Sequence, residues 1–303
     1  MSLAQPFSNF EPEKRAIVPF CSFAASSSIC LPPSHLYTMS ESGTDRSMLI
    51  ESDVDRIRRN GKSLIWVHIR DWESGAVEIL DALKKNTVVK EFIFHIVYSV
   101  QLMQEALVKL SDVMKCNKSV TKLTIYLESG LLRERVFAAM ATSGGWSSIQ
   151  ELVFFSIMEH MSLREAEHLS SFILQCENLR SLSLQVVGGE ITPIVETLSR
   201  TKVQSLKIRY DVHSTLSLQN GGRRLATAFE TCTCIAELQL NFPNVINEIE
   251  SEFYQILLVE SIPKMLGLKK LELAIDLSDQ RVDQGFFDMV GQCIGGTKEK
   301  LKN

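Results

Sequence analysis

The residues of this chain that could do chemistry are few, and their spacing argues against most of it. Asn60-Gly61-Lys62-Ser63 ends as a phosphate-cradling loop ends, with a lysine for the phosphates and a hydroxyl for magnesium. Such a loop needs an earlier glycine, yet that position holds Arg56, and the tetrapeptide precedes an apolar strand-like run where the real loop follows one. Cys232 and Cys234 could offer two thiolates to a metal, but no second Cys or His pair lies nearby at ligand spacing. The histidines His35, His68, His95, His160, His168 and His213 are scattered, and none stands in a recognisable context with a serine or cysteine nucleophile. We therefore expect no catalysis, no cofactor and no metal site.

Composition narrows the classes further. Against 36 Asp and Glu stand 32 Lys and Arg, a net charge of -4 with no long run of either sign, which disfavours a nucleic-acid binder. No stretch approaches the roughly 18 consecutive apolar residues a membrane span needs. Seven cysteines, an odd number spread over 303 residues, suit free thiols in a reducing compartment, so a cytoplasmic location is expected. The run from Ala16 to Leu31 is broken by Pro19 and by Ser26, Ser27 and Ser28, and Glu11 and Glu13 stand where a signal sequence carries positive charge. Asn117-Lys118-Ser119 is a glycosylation triplet that would matter only in a secreted chain.

The elements that must position any functional residue are legible as a repeat. Residues 1–50 are rich in Ser and Pro and lack periodicity, which predicts a disordered or loosely ordered leader, with Met39 as an internal start. Residues 51–303 are expected to form one repeat domain. In it an apolar-x-x-apolar-x-apolar triplet recurs eight times: Leu64/Val67/Ile69, Val89/Phe92/Phe94, Val120/Leu123/Ile125, Ile149/Leu152/Phe154, Leu179/Leu182/Leu184, Val203/Leu206/Ile208, Ile235/Leu238/Leu240 and Leu268/Leu271/Leu273. First members are separated by 25, 31, 29, 30, 24, 32 and 33 residues. One such triplet arises by chance, whereas eight in step define a repeat of strand and connector.

The connectors carry helical periodicity, as in Leu102, Ala106, Leu110 and Val113, and again in Ile249, Phe253, Ile256 and Leu257. Ser162-Leu163-Arg164-Glu165 reads as a capping box, and Thr192-Pro193 places proline at a helix start. Cys116, Cys176 and Cys232 each lie three or four residues before the first apolar residue of a triplet, which predicts small buried fillers at the helix-to-strand turn. Lys300-Leu301-Lys302-Asn303 looks like a ninth strand that stops after three residues. The eighth strand and its following helix, with Phe286, Phe287 and Val290, would then offer a C-terminal edge for self-association.

From Leu64 to Leu273 this alternation, with Leu83-Lys84-Lys85-Asn86 and Met114-Lys115-Cys116-Asn117 just ahead of strands, resembles the ribonuclease-inhibitor-like leucine-rich repeats. The resemblance implies an α/β solenoid shaped as a horseshoe, parallel strands on the concave face and helices on the convex face. It also implies an Asn or Cys ladder three positions after each strand's last apolar residue, but here those positions hold Trp72, Val97, Glu128, Ile157, Val187, Asp211, Pro243 and Asp276. The expected function is a non-catalytic protein-protein interaction scaffold. Its rival, a substrate-receptor or GTPase-regulating arm of a larger assembly, lacks an F-box-like segment in the first 60 residues.

Side chains alternate along a strand, so residues two, four and six after each first apolar member should face away from the core. In the first four repeats these include Trp66, His68 and Arg70, then Ile93 and His95, then Tyr126, then Val153 and Phe155; in the last four they are mostly Ser, Lys, Arg, Glu, Gln and Asn. We expect a protein partner to dock on the aromatic half, with Arg70, Glu91 and Lys122 at its rim.

Overall fold

The computed structural model describes residues 54–55, 57–59, 66–70, 76–96, 100–127, 130–156, 160–186, 189–210, 218–243, 255–276, 288, 291–293 and 295. The leader, the Asn60 to Ser63 loop, Phe286, Phe287, Val290 and Leu301 lie outside the described residues.

Each apolar triplet delivers one strand: β1 Trp66–Arg70, β2 Glu91–Ile96, β3 Lys122–Leu127, β4 Glu151–Ser156, β5 Ser181–Val186, β6 Ser205–Tyr210, β7 Glu237–Pro243 and β8 Lys270–Asp276. They form one eight-stranded sheet in sequence order, every neighbouring pair parallel. The register follows the triplets without slip: Val67 lies beside Phe92, then Leu123, Leu152, Leu182, Leu206, Leu238 and Leu271. A parallel pair needs a crossover. Helices α1 Ala76–Leu83, α2 Val100–Cys116, α3 Gly130–Ser143, α4 Leu163–Gln175, α5 Thr192–Leu198 and α6 Leu218–Glu230 supply the described ones. Strand and helix in alternation make an α/β repeat fold, and the arrangement fits the leucine-rich-repeat type.

Strand residues of the triplets and one stripe of each helix close on a single apolar layer holding Leu80, Phe92, Leu110, Phe137, Phe154 and Phe172. Phe137 meets Phe154 edge-on at 5.0 Å, and Trp146 meets Phe172 at 5.1 Å. Ser162 caps α4 as its sequence predicts: its Oγ accepts from the Glu165 N–H at 3.2 Å, and a Glu165 carboxylate oxygen accepts from the Ser162 N–H at 2.6 Å. Pro193 opens α5. The stretch around Ile256 and Leu257 departs from expectation: Gln255–Ser261 is wound as a π-helix, which buries Ile256, Leu257 and Leu258 in succession, and Ile249 and Phe253 lie outside the described residues.

The last carbonyls of a helix have no partner within it, and burying them unpaired is costly. Here the next repeat answers them. Asn117 donates its side-chain amide to the carbonyls of Leu83 and Asn86 at 2.6 and 3.0 Å, while its Oδ1 accepts from the N–H groups of Ser119 and Val120. Asn86 does the same one repeat earlier, donating to the Ile57 carbonyl at 2.7 Å and accepting from Val88 and Val89. Later repeats use other donors: Gln175 to the Ala141 carbonyl, Asn178 to Ser147, and the Cys232 thiol to Val195. The ladder thus stands before β2, β3, β5 and β7 and not after them. Because Asn117 takes the buried position, its neighbour Cys116 is exposed, so the expectation that Cys116 is a buried filler is corrected; Cys176 and Cys232 are buried. The same burial leaves no room for a glycan on Asn117.

Past the strands, where the expected ladder residues are absent, different contacts hold the loops. Arg133 on α3 is buried and donates to a Glu165 carboxylate oxygen at 2.9 Å and to the His160 carbonyl at 2.8 Å. Gly189, at φ +104°, lies against the Met161 backbone, and a Cβ there would collide with the Met161 carbonyl. A buried pair of this kind costs desolvation on both charges, so its contribution is to geometry more than to stability.

Asn117→Ala should lower unfolding stability by about 2 kcal/mol, because it leaves the buried N–H of Val120 and the part-buried N–H of Ser119 without their acceptor and takes one of two donors from each of the Leu83 and Asn86 carbonyls, which keep the Asn86 N–H and the Ser119 hydroxyl. Urea unfolding followed by circular dichroism checks this. A change within about 0.5 kcal/mol, typical of a surface site such as Lys118→Ala, contradicts the role given to the ladder.

Candidate protein-docking face

The helices pack on one side of the sheet, and the alternate strand residues on the other side form three rows running across the strands. Zero-offset register makes the rows straight. The middle row holds Ile93, Thr124, Val153, Ser183, Lys207 and Gln239; the row nearest the strand C-termini holds His95, Tyr126, Phe155, Gln185, Arg209 and Asn241. Trp66, His68 and Arg70 take the register positions beside Glu91, Ile93 and His95.

Of the residues expected from sequence, the structure brings His95, Tyr126 and Phe155 into ring contact. Tyr126 and Phe155 stack with centroids 4.5 Å apart and planes 3° from parallel, and His95 leans on Tyr126 at 5.4 Å. Ile93 and Val153 flank them in the middle row, and all five are half-buried. Phe155 stays out of the core. Thr124 between them is covered, at 4% exposure, and its hydroxyl lies 3.4 Å from a Glu91 carboxylate oxygen. Strict alternation therefore overstates what β3 presents to solvent.

Charge on this face is arranged by row. Lys122 sits between Glu91 and Glu151, at 3.2 and 3.4 Å. Partial burial opposes its charge, but Glu151 and Glu91 outweigh that, so its pKa is raised. Tyr126 is also raised, first because burial disfavours phenolate and then because Glu91 is near, with Lys122 opposing. Two features went unread in the sequence. One is the carboxylate pair on Lys122, for which like positions Glu91, Lys122 and Glu151 in successive repeats were the signal. The other is a depression of about 280 Å³ over Ser181, Ser183 and Ser205, walled by Val153, Lys207 and Glu272. Three serines between bulkier residues on neighbouring strands mark it.

This geometry offers contact chemistry: ring edges, apolar side chains and hydrogen-bond donors on a rigid sheet. Among the described residues no three His, Cys, Asp or Glu side chains come together as metal ligands, and no helix is long and apolar enough to cross a membrane. Burial pushes the thiol of Cys232 up to about 12 and raises that of Cys176, so neither is an activated nucleophile.

No family model and no curated protein matches the sequence. Solved structures similar to this chain include leiomodin-1 actin-binding site 2, at 12% identity over 84% of this chain and 92% of that one, with a TM-score of 0.22. Another is the tropomodulin C-terminal domain of Caenorhabditis elegans, at 12% identity over 84% and 95%, with a TM-score of 0.24. Superpositions this loose carry no argument about the present chain.

Replacing Phe155 by Ala opens one face of the Tyr126 ring to water, so its pKa should fall toward the ordinary 10.0. Since folding raises this pKa, the stability it contributes is complete below the ordinary value and is lost as pH rises through the folded value. Ring-carbon NMR shifts of labelled tyrosine across alkaline pH report both. A Tyr126 that titrates at its ordinary value in the intact protein, or is unmoved by Phe155→Ala, contradicts the stacking.

Proposed function

We propose that the chain is a non-catalytic protein-protein interaction scaffold: a ribonuclease-inhibitor-like horseshoe solenoid whose strands line the concave side and receive a protein partner there. The carrying observation is the half-exposed strip of His95, Tyr126 and Phe155, stacked across three strands on the side of the sheet away from the helices. Aromatic side chains on a rigid surface supply large contact area at low entropic cost, which is why they dominate binding hot spots. Ile93 and Val153 extend the strip, and Trp66, His68 and Arg70 complete the proposed docking area on β1 at its N-terminal end. The five described cysteines carry free thiols, which suits a cytoplasmic protein.

The test begins by capturing a partner from native lysate with the full chain, then measuring its affinity for variants of matched circular dichroism. Tyr126→Ala and Phe155→Ala should each weaken binding by about 2 kcal/mol, roughly thirtyfold. Val108→Ser and Leu163→Ser, which alter exposed apolar residues on the helix layer, should leave it unchanged. Unchanged affinity in the first pair, or an equal loss in the second, overturns the proposal.

A further inference from the structure

We infer that the segment docking on this face is an acidic one, carrying an apolar anchor for the ring strip and carboxylates for the row at the strand C-termini. The inference rests on the docking proposal and adds the partner's chemistry to it. In β2 to β7 that row runs His95, Tyr126, Phe155, Gln185, Arg209 and Asn241, without a carboxylate. The row at the strand N-termini, about 13 Å away at four residue rises, carries Glu91, Glu151 and Glu237. Two lysines share that row: Lys122 is neutralised between Glu91 and Glu151, and Lys270 takes the register position beside Glu237. The face is therefore polarised along the strands, acidic at one end and donor-rich at the other.

The ring strip points the same way. Stacked at 4.5 Å, Tyr126 and Phe155 cover each other's faces and leave their edges for a partner. Ring edges carry the positive end of the quadrupole and prefer oxygens or the face of another ring. The Tyr126 hydroxyl is an additional donor. On β6, exposed Lys207 and, two residues on, Arg209 add two cationic side chains to the same face. They stand two strands from Phe155, roughly 10 Å, with Gln185 between Phe155 and Arg209 and the small side chain of Ser183 between Val153 and Lys207. An apolar residue and a carboxylate that far apart are about three residues apart in an extended segment or about seven in a helix. A nucleic acid fits less well: its continuous phosphate chain would meet Glu151, Glu237 and Glu272 on the same face.

The probe is a random-peptide phage library panned on the full chain, with selected peptides resynthesised for affinity measurement. Enriched peptides should carry an aromatic or leucine residue and an excess of Asp and Glu over Lys and Arg. Their affinity should fall about tenfold in Lys207→Glu/Arg209→Glu, and less in Lys207→Gln/Arg209→Gln, both checked by circular dichroism. Raising salt from about 0.05 to about 0.5 M should weaken them further. Enriched peptides that are neutral or basic, yet lose binding in Tyr126→Ala/Phe155→Ala, overturn the acidic assignment and leave the docking face standing. Peptides indifferent to both sets of variants, or no enrichment, overturn the assignment together with the face. A single-stranded oligonucleotide that binds more tightly than the peptides, and depends on Tyr126, replaces the acidic peptide with a nucleic acid.

Discussion

Helix carbonyls buried against the next repeat must find donors, and that requirement organises the molecule. Asn86 and Asn117 each satisfy two ends at once, donating back to the preceding repeat and accepting from the start of their own strand. The consequence is that the starts of β2 and β3 are each anchored to the repeat before them. Main-chain contacts continue the constraint, since the carbonyl of Lys90 receives the N–H of Thr121, that of Thr121 receives Gln150, and that of Gln150 receives Arg180. Register across the sheet is therefore exact to the residue, and a slip of one would turn each alternate side chain to the opposite face.

Straight rows follow from that register, and the face inherits its chemistry from them. Tyr126 and Phe155 stack because both sit sixth after the first apolar residue of their triplets and their strands are neighbours without offset. Glu91, Lys122 and Glu151 meet for the same reason at the second position. Individually such surface ion pairs contribute little. Their effect is to consume one of the two lysines of the N-terminal row, the other, Lys270, lying beside Glu237, while β6 brings Lys207 and Arg209 to the middle and C-terminal rows. A repeat that holds its backbone constant thus converts a pattern along the chain into a pattern across a surface.

Strands, their order and the residues of each row were legible from sequence because they depend on period-two alternation within a triplet, a local property. The capping box at Ser162 and the proline at α5 were legible for the same reason. The ladder was not. Asn86 and Asn117 sit in plain view before their strands, but the donors of the later repeats are chemically mixed, Gln175, Asn178 and Cys232, so no single residue type recurs. Cys116 misled because it lies one residue from the position that is buried. The Arg133–Glu165 pair joins residues 32 apart in sequence, and only the packing of α3 on α4 reveals it. Thr124 lies on the central one of three strands, between Ile93 and Val153, and its burial is a property of the three together.

A protein partner is proposed to sit on the helix-free side of the sheet, at β2 to β4. A photo-crosslinking benzoylphenylalanine placed at Phe155, and separately at Val108 on the helix layer, tests it in native lysate. Docking on this face should give a discrete crosslinked species from position 155 that is absent from position 108. Crosslinking from position 108 alone, or equally from both, contradicts it.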